Sequence, residues 1–194
     1  MRPPPQHPHL AQIRTLYAAA HPATREHGCQ WYAREHAAAL LLAKSTGRPV
    51  RTICACLAVL SPRCQWPRVK HACSELLAGN EPRGIFGHNL AKAEKILASR
   101  GLPIDPTTAP KTWAFWQNLW HPNDPIPVTL DSWMFRAHGM PDSIRLGTYQ
   151  ALAEAYRSVA SELGLIPNQL QAIVWLHIKQ RSHPTAKENA RERR

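Results

Sequence analysis

Asp131 is a single carboxylate at the mouth of an apolar, aromatic segment, Val128-Thr129-Leu130-Asp131-Ser132-Trp133-Met134-Phe135-Arg136-Ala137-His138-Gly139. Two roles suit it. As a helix N-cap it accepts the first free backbone amides, a contribution of about 1 kcal/mol. As a catalytic group it stabilises positive charge developing on a substrate and orients a nucleophile. A second segment, 104–120, sets the hydroxyls of Thr107 and Thr108 and the cation of Lys111 ahead of Trp113, Trp116 and Trp120. Tryptophans three and four residues apart share one helix face, which serves equally as a core stripe or as a stacking platform. A third segment, 57–77, puts Arg63 and Gln65 in a loop between two apolar helical runs. A side chain held there either enters a DNA stack or stays in solvent.

Charge narrows the partner. The chain of 194 residues carries 24 Lys and Arg against 13 Asp and Glu, a formal net charge of +11. A surplus of that size on a small chain suits a polyanion, and nucleic acid leads because phosphate neutralisation releases counterions. A merely soluble basic surface is the bland alternative. The five cysteines, Cys29, Cys54, Cys56, Cys64 and Cys73, are odd in number, and no secretory leader or membrane-length apolar run accompanies them. Free thiols in a cytoplasmic protein are therefore expected. The Cys54/Cys56 spacing lacks the two-residue gap of a zinc knuckle, and no four-cysteine cluster set is present. The chain is expected to work without metal or cofactor.

The elements that must position these residues read as helices. Ile53, Leu57 and Leu60 share one face; so do Val69, Cys73, Leu76 and Leu77, and again Leu152, Tyr156, Val159 and Leu163. Prolines such as 49, 62, 67, 110 and 167 mark starts and breaks. No alternating run is long enough for a strand. The predicted fold is all-α, eight to ten short helices, with a core wide enough for two lobes around a central DNA-binding cleft and the Pro/Trp-rich stretch 103–127 at a junction. Residues 1–9 are expected to be disordered, 10–181 to form the domain, and 182–194 to be a basic flexible tail.

In order, Leu60-Ser61, Lys92-Ala93-Glu94, Lys111-Thr112 and Leu130-Asp131-Ser132-Trp133-Met134-Phe135-Arg136 resemble the successive motifs of the helix-hairpin-helix DNA glycosylases of the endonuclease III type. The resemblance covers about residues 50–178. It implies a helix-hairpin-helix motif and the family's roles at matching positions. Asp131 matches the catalytic aspartate. Lys111 matches the lysine that attacks C1′ in bifunctional members. Arg63 lies where a glutamine fills the gap left by the flipped nucleotide, with Gln65 beside it. Thr107, Thr108 and Thr112 lie where the hairpin grips phosphate. Trp113, Trp116, Trp133 and His138 are candidates for the base pocket. The departures are specific: the hairpin position reads Thr107-Thr108-Ala109-Pro110-Lys111-Thr112 without glycine, Trp133 replaces the histidine usual after the aspartate, and cluster ligands are absent.

The function expected from this resemblance is base flipping and excision from double-stranded DNA by a monomer. Among specific substrates, glucosylated 5-hydroxymethylcytosine of phage genomes, removed in anti-phage defence, ranks first. A repair glycosylase or AP lyase for damaged or mismatched bases is the alternative. So is a non-catalytic helix-hairpin-helix DNA-binding protein. A helix-turn-helix regulator would need a recognition helix rich in Arg, Asn and Gln, which the sequence lacks.

Overall fold

The structure, a computed structural model, describes residues 8–99 and 104–182. It is all-α: α1 (Leu10–Ala19), α2 (Pro22–Thr46), α3 (Val50–Leu60), α4 (Trp66–Leu77), α5 (Gly87–Ala98), α6 (Pro110–Trp120), α7 (Ser132–Ala137), α8 (Leu146–Glu162) and α9 (Pro167–Ser182), with no strand among the described residues. Proline opens or precedes several of them: Pro22 begins α2, Pro49 caps α3, Pro67 and Pro110 stand in the first turns of α4 and α6, and Pro167 begins α9. A fixed φ and a missing N–H cost nothing at that position. The expectation of uniformly short helices is corrected by α2, which runs for 25 residues. No described helix is long and apolar enough to cross a membrane. Of the segment 1–9, only residues 8 and 9 are described, and His9 is the N-cap residue of α1, its ring 5.0 Å from that of His138. Of 182–194, only Ser182, the end of α9, is described.

The described residues divide into two compact units: one up to Tyr32 and from Pro125 onward, the other Ala33–Asp124. In the first unit α1, α8 and α9 pack on one another, and α7 packs on α9. Its core holds Ile13, Leu130, Met134, Leu152, Tyr156 and Leu170, each fully buried. The start of α2 crosses α9 at Gly28, where an added Cβ would fall 2.7 Å from the Ile173 Cα, so only glycine permits this approach. Tyr32 then donates to Gln171 at 2.8 Å, and Gln169 to the Cys29 carbonyl at 3.2 Å.

In the second unit α3 is the central element and packs against α4, α5 and α6. Every residue from Ile53 to Leu60 is buried, which explains why this run is apolar on all sides. Cys54, Cys56 and Cys73 are buried free thiols; burial pushes Cys54 and Cys73 up to about 12, and Cys56 up as well, so they act as small apolar fillers. Cys29 and Cys64 are half-buried.

Candidate active site

Asp131 sits at the N-cap of α7 in extended backbone. Its Oδ1 accepts from the Trp133 amide at 3.0 Å and the Met134 amide at 3.1 Å. Its Oδ2 accepts from the Trp175 indole N–H at 3.0 Å. One oxygen thus holds the helix, while the other is aimed by a side chain on α9. A carboxylate has about four lone-pair sites; three are taken, so Oδ2 alone has one left for a further donor. Asp131 is half-buried, neither sealed in the core nor loose in solvent.

The approach to Asp131 is fixed from below. The Tyr149 hydroxyl donates to the Val128 carbonyl at 2.7 Å and accepts from the Leu130 amide at 3.2 Å. It thereby ties the extended lead-in 128–130 to α8. Burial pushes the Tyr149 and Tyr156 phenols up, and the negative charge of Asp131 pushes both further. These hydroxyls therefore remain protonated donors beneath the carboxylate.

The two indole residues that donate to Asp131 carry cations on their rings. The Arg136 guanidinium carbon is 4.6 Å and the Lys179 ammonium 4.4 Å from the Trp133 ring centre. Lys179 is also 5.7 Å from the Trp175 ring centre. Arg136 donates to the Ser132 carbonyl at 3.0 Å and pairs with Asp142 at 3.1 Å. Trp133, expected as a pocket wall, is half-buried and already lies against two cations. Trp175 and Lys179 were not singled out from sequence. Trp175 is 44 residues from Asp131, and no local spacing links them.

His138 is corrected from pocket wall to core residue. It is buried; Nδ1 pairs with Gln12 Oε1 and Nε2 with the Tyr156 hydroxyl, both at 3.2 Å. The Gln12 amide in turn donates to the Ala137 carbonyl. The network locks the end of α7 to α1 and α8.

The remaining candidates lie in the second unit. Trp116 is likewise corrected to core: it is buried, its indole N–H donates to the Arg51 carbonyl at 3.1 Å, and its ring stacks on Trp120. Trp113, Lys111 and Thr112 are half-buried in the first turn of α6. Thr107 and Thr108 are exposed, but their hydroxyls donate to the Asp105 carboxylate, at 2.8 Å and 3.3 Å, and the Thr107 amide donates to it at 2.8 Å. These bonds hold Asp105 below the usual carboxylate range. The hydroxyls serve an Asx-type turn whose carboxylate would repel phosphate.

Arg63 and Gln65 are both exposed in the loop between α3 and α4. The Cys64 amide closes a turn on the Ser61 carbonyl at 3.2 Å. Pro62 takes the second position and Arg63 the third, at φ 57, the one positive φ outside glycine among the described residues. That is the glycine position of a type II turn. The fold tolerates strain of about 1–2 kcal/mol to keep a non-glycine side chain there.

Among the described residues no group of three His, Cys, Asp or Glu side chains is arranged to hold a metal ion. Comparison with curated proteins and with solved structures found no match to the chain. Residues 5–182 match the model of a family of unknown function, DUF7178, and the chain belongs to that family.

Proposed function

We propose that this protein is a DNA N-glycosylase of helix-hairpin-helix type that flips a modified base from duplex DNA and excises it, leaving an abasic site. The observation that carries the reading is the setting of Asp131: a half-buried carboxylate aimed by the Trp175 indole N–H, with Lys179 held against the rings of Trp133 and Trp175, on a chain of net charge +11. Breaking the C1′–N bond sends its electron pair to the base and leaves oxocarbenium character on the sugar. The Asp131 carboxylate stabilises that charge and orients a water. The water oxygen adds to C1′, and its proton passes through the carboxylate to the departing base. The resemblance assigns the gap left by the flipped nucleotide to Arg63, which is exposed in its own loop. In this reading α5 and α6 are the two helices of the helix-hairpin-helix, with Lys111 at the start of α6 and a DNA-binding cleft serving a monomer.

Glucosylated 5-hydroxymethylcytosine of phage DNA is the first-ranked substrate, with damaged or mismatched bases next. Purified protein is incubated with duplexes carrying each base, and the free base is detected by mass spectrometry. Release by the wild type, absent in Asp131→Asn, supports the reading; no release from any duplex removes it. One observation favours a second reading, a non-catalytic DNA-binding protein: both Asp131 oxygens already accept hydrogen bonds. That reading expects salt-dependent DNA binding without base release.

A further inference from the structure

We infer that Lys179, on α9, is a DNA-phosphate contact beside Asp131; the inference rests on the DNA-glycosylase reading and adds to it a residue outside the matched motifs. In the first unit Arg14 pairs with Glu162, Arg136 with Asp142 and Arg157 with Glu154, and Arg25 is taken up by the Ala18 and Ala20 carbonyls and the Tyr17 ring. Lys179 has no ion pair with a described residue. Its ammonium instead lies 4.4 Å from the Trp133 ring centre and 5.7 Å from that of Trp175. Indole faces hold a cation by their quadrupole without neutralising it. The charge is thus fixed in place and still available to an anion.

Its position selects the anion. Trp175 is both a seat for Lys179 and the donor to Asp131 Oδ2 at 3.0 Å, and Trp133 is both a seat and an amide donor to Oδ1. Two of the three residues that hold the carboxylate therefore also hold the ammonium. In a flipped nucleotide the sugar that reacts is flanked by two phosphates, so a cation held by the supports of the carboxylate meets a phosphate when C1′ meets Asp131. A lysine suits this as a compact point charge.

The test is DNA affinity across a salt series, measured by fluorescence anisotropy on an unmodified duplex, so that it does not depend on excision. Each phosphate contact contributes roughly 0.9 to the slope of log affinity against log salt. Lys179→Gln, which keeps most of the apolar stem, and Lys179→Ala are expected to lower the slope by about 1, and Lys179→Arg to keep it. Circular dichroism checks that each is folded; Lys179→Gln carries the test if Lys179→Ala does not fold. If the wild type binds with a steep slope and folded Lys179→Gln has the same slope, the Lys179 assignment falls while the glycosylase reading stands. If the wild type shows no salt-dependent binding, both fall.

Discussion

Asp131 and Asp105 are both carboxylates at the head of a helical turn, yet the fold treats them differently. Asp131 is held by groups from three places: amides of its own helix, an indole on α9, and, through residues 128–130, a phenol on α8. Asp105 is held by Thr107 and Thr108, two and three residues away, in an exposed turn. A group fixed by distant elements keeps its direction when a ligand arrives, because moving it would disturb a packed core. A group fixed by its sequence neighbours stabilises the turn and nothing further. The Arg63 loop is a third case: also locally closed, but strained.

The largest expected effect is at Asp131. Asparagine caps a helix about as well as aspartate, so Asp131→Asn retains α7 and removes the charge. Single-turnover base release should fall by about 100-fold or more, with DNA affinity changed little. Full activity in a folded Asp131→Asn would reduce Asp131 to a cap and erase its contrast with Asp105. The next effect is at Trp175. Trp175→Phe keeps an aromatic ring but loses the donor to Oδ2, leaving the carboxylate held through Oδ1 alone. A misplacement of about 1 Å can cost about 100-fold; a loss of at least tenfold in the rate of base release, at saturating protein, is expected. A rate within twofold of wild type would mean that Trp175 supports packing alone.

The contrast also marks what sequence could reveal. The helices α3, α4 and α8 were legible from apolar spacing: Ile53, Leu57 and Leu60, then Val69 and Cys73, then Leu152, Tyr156 and Val159 are all buried, whereas Leu76 and Leu77 at the end of α4 are half-buried and Leu163, past the end of α8, is exposed. In α2 the signal is blurred, since Leu40 and Leu41 are exposed while Ala39 and Ala43 are buried, and the helix serves both units. Asp131 was legible as a cap because an N-cap is a local event. Its indole partner was not, because a contact across 44 residues leaves no periodic trace. Trp116 and His138 show the converse error. Aromatic spacing alone does not distinguish a ring that faces a ligand from one whose polar atom is already committed to the Arg51 carbonyl or to Tyr156.

Arg63 should show a smaller effect, in opposite directions on two measurements. Glycine occupies φ 57 without steric cost, although it also gains freedom in the unfolded chain. Arg63→Gly is expected to leave stability unchanged or raise it by up to about 1 kcal/mol in urea unfolding. Base release should fall several-fold, because the wedge is lost. A destabilisation above about 1 kcal/mol would show that the Arg63 side chain supports the turn, and would place this loop with the Asp131 segment.

The smallest effects are expected in the turn at Asp105. Thr107→Val removes a hydroxyl that donates to Asp105. Its DNA affinity should therefore stay within about twofold, against the slope change expected at Lys179. A salt slope lowered by about 1 in Thr107→Val would restore the hydroxyl to the phosphate contacts. The pH dependence gives an independent check on how the turn is held. Hydrogen bonds to the carboxylate lower the Asp105 pKa in the folded chain. Their contribution is then fully present above the usual carboxylate range and is lost as pH falls through the lowered value. Comparing wild type with Asp105→Asn by thermal melting, the wild type should hold its small advantage at neutral pH and surrender it only in strong acid. Asp105 is exposed, so solvent screening keeps that advantage small. If the difference between wild type and Asp105→Asn did not change between neutral pH and strong acid, the threonines would not hold the carboxylate, and Thr107 and Thr108 would be available to phosphate after all.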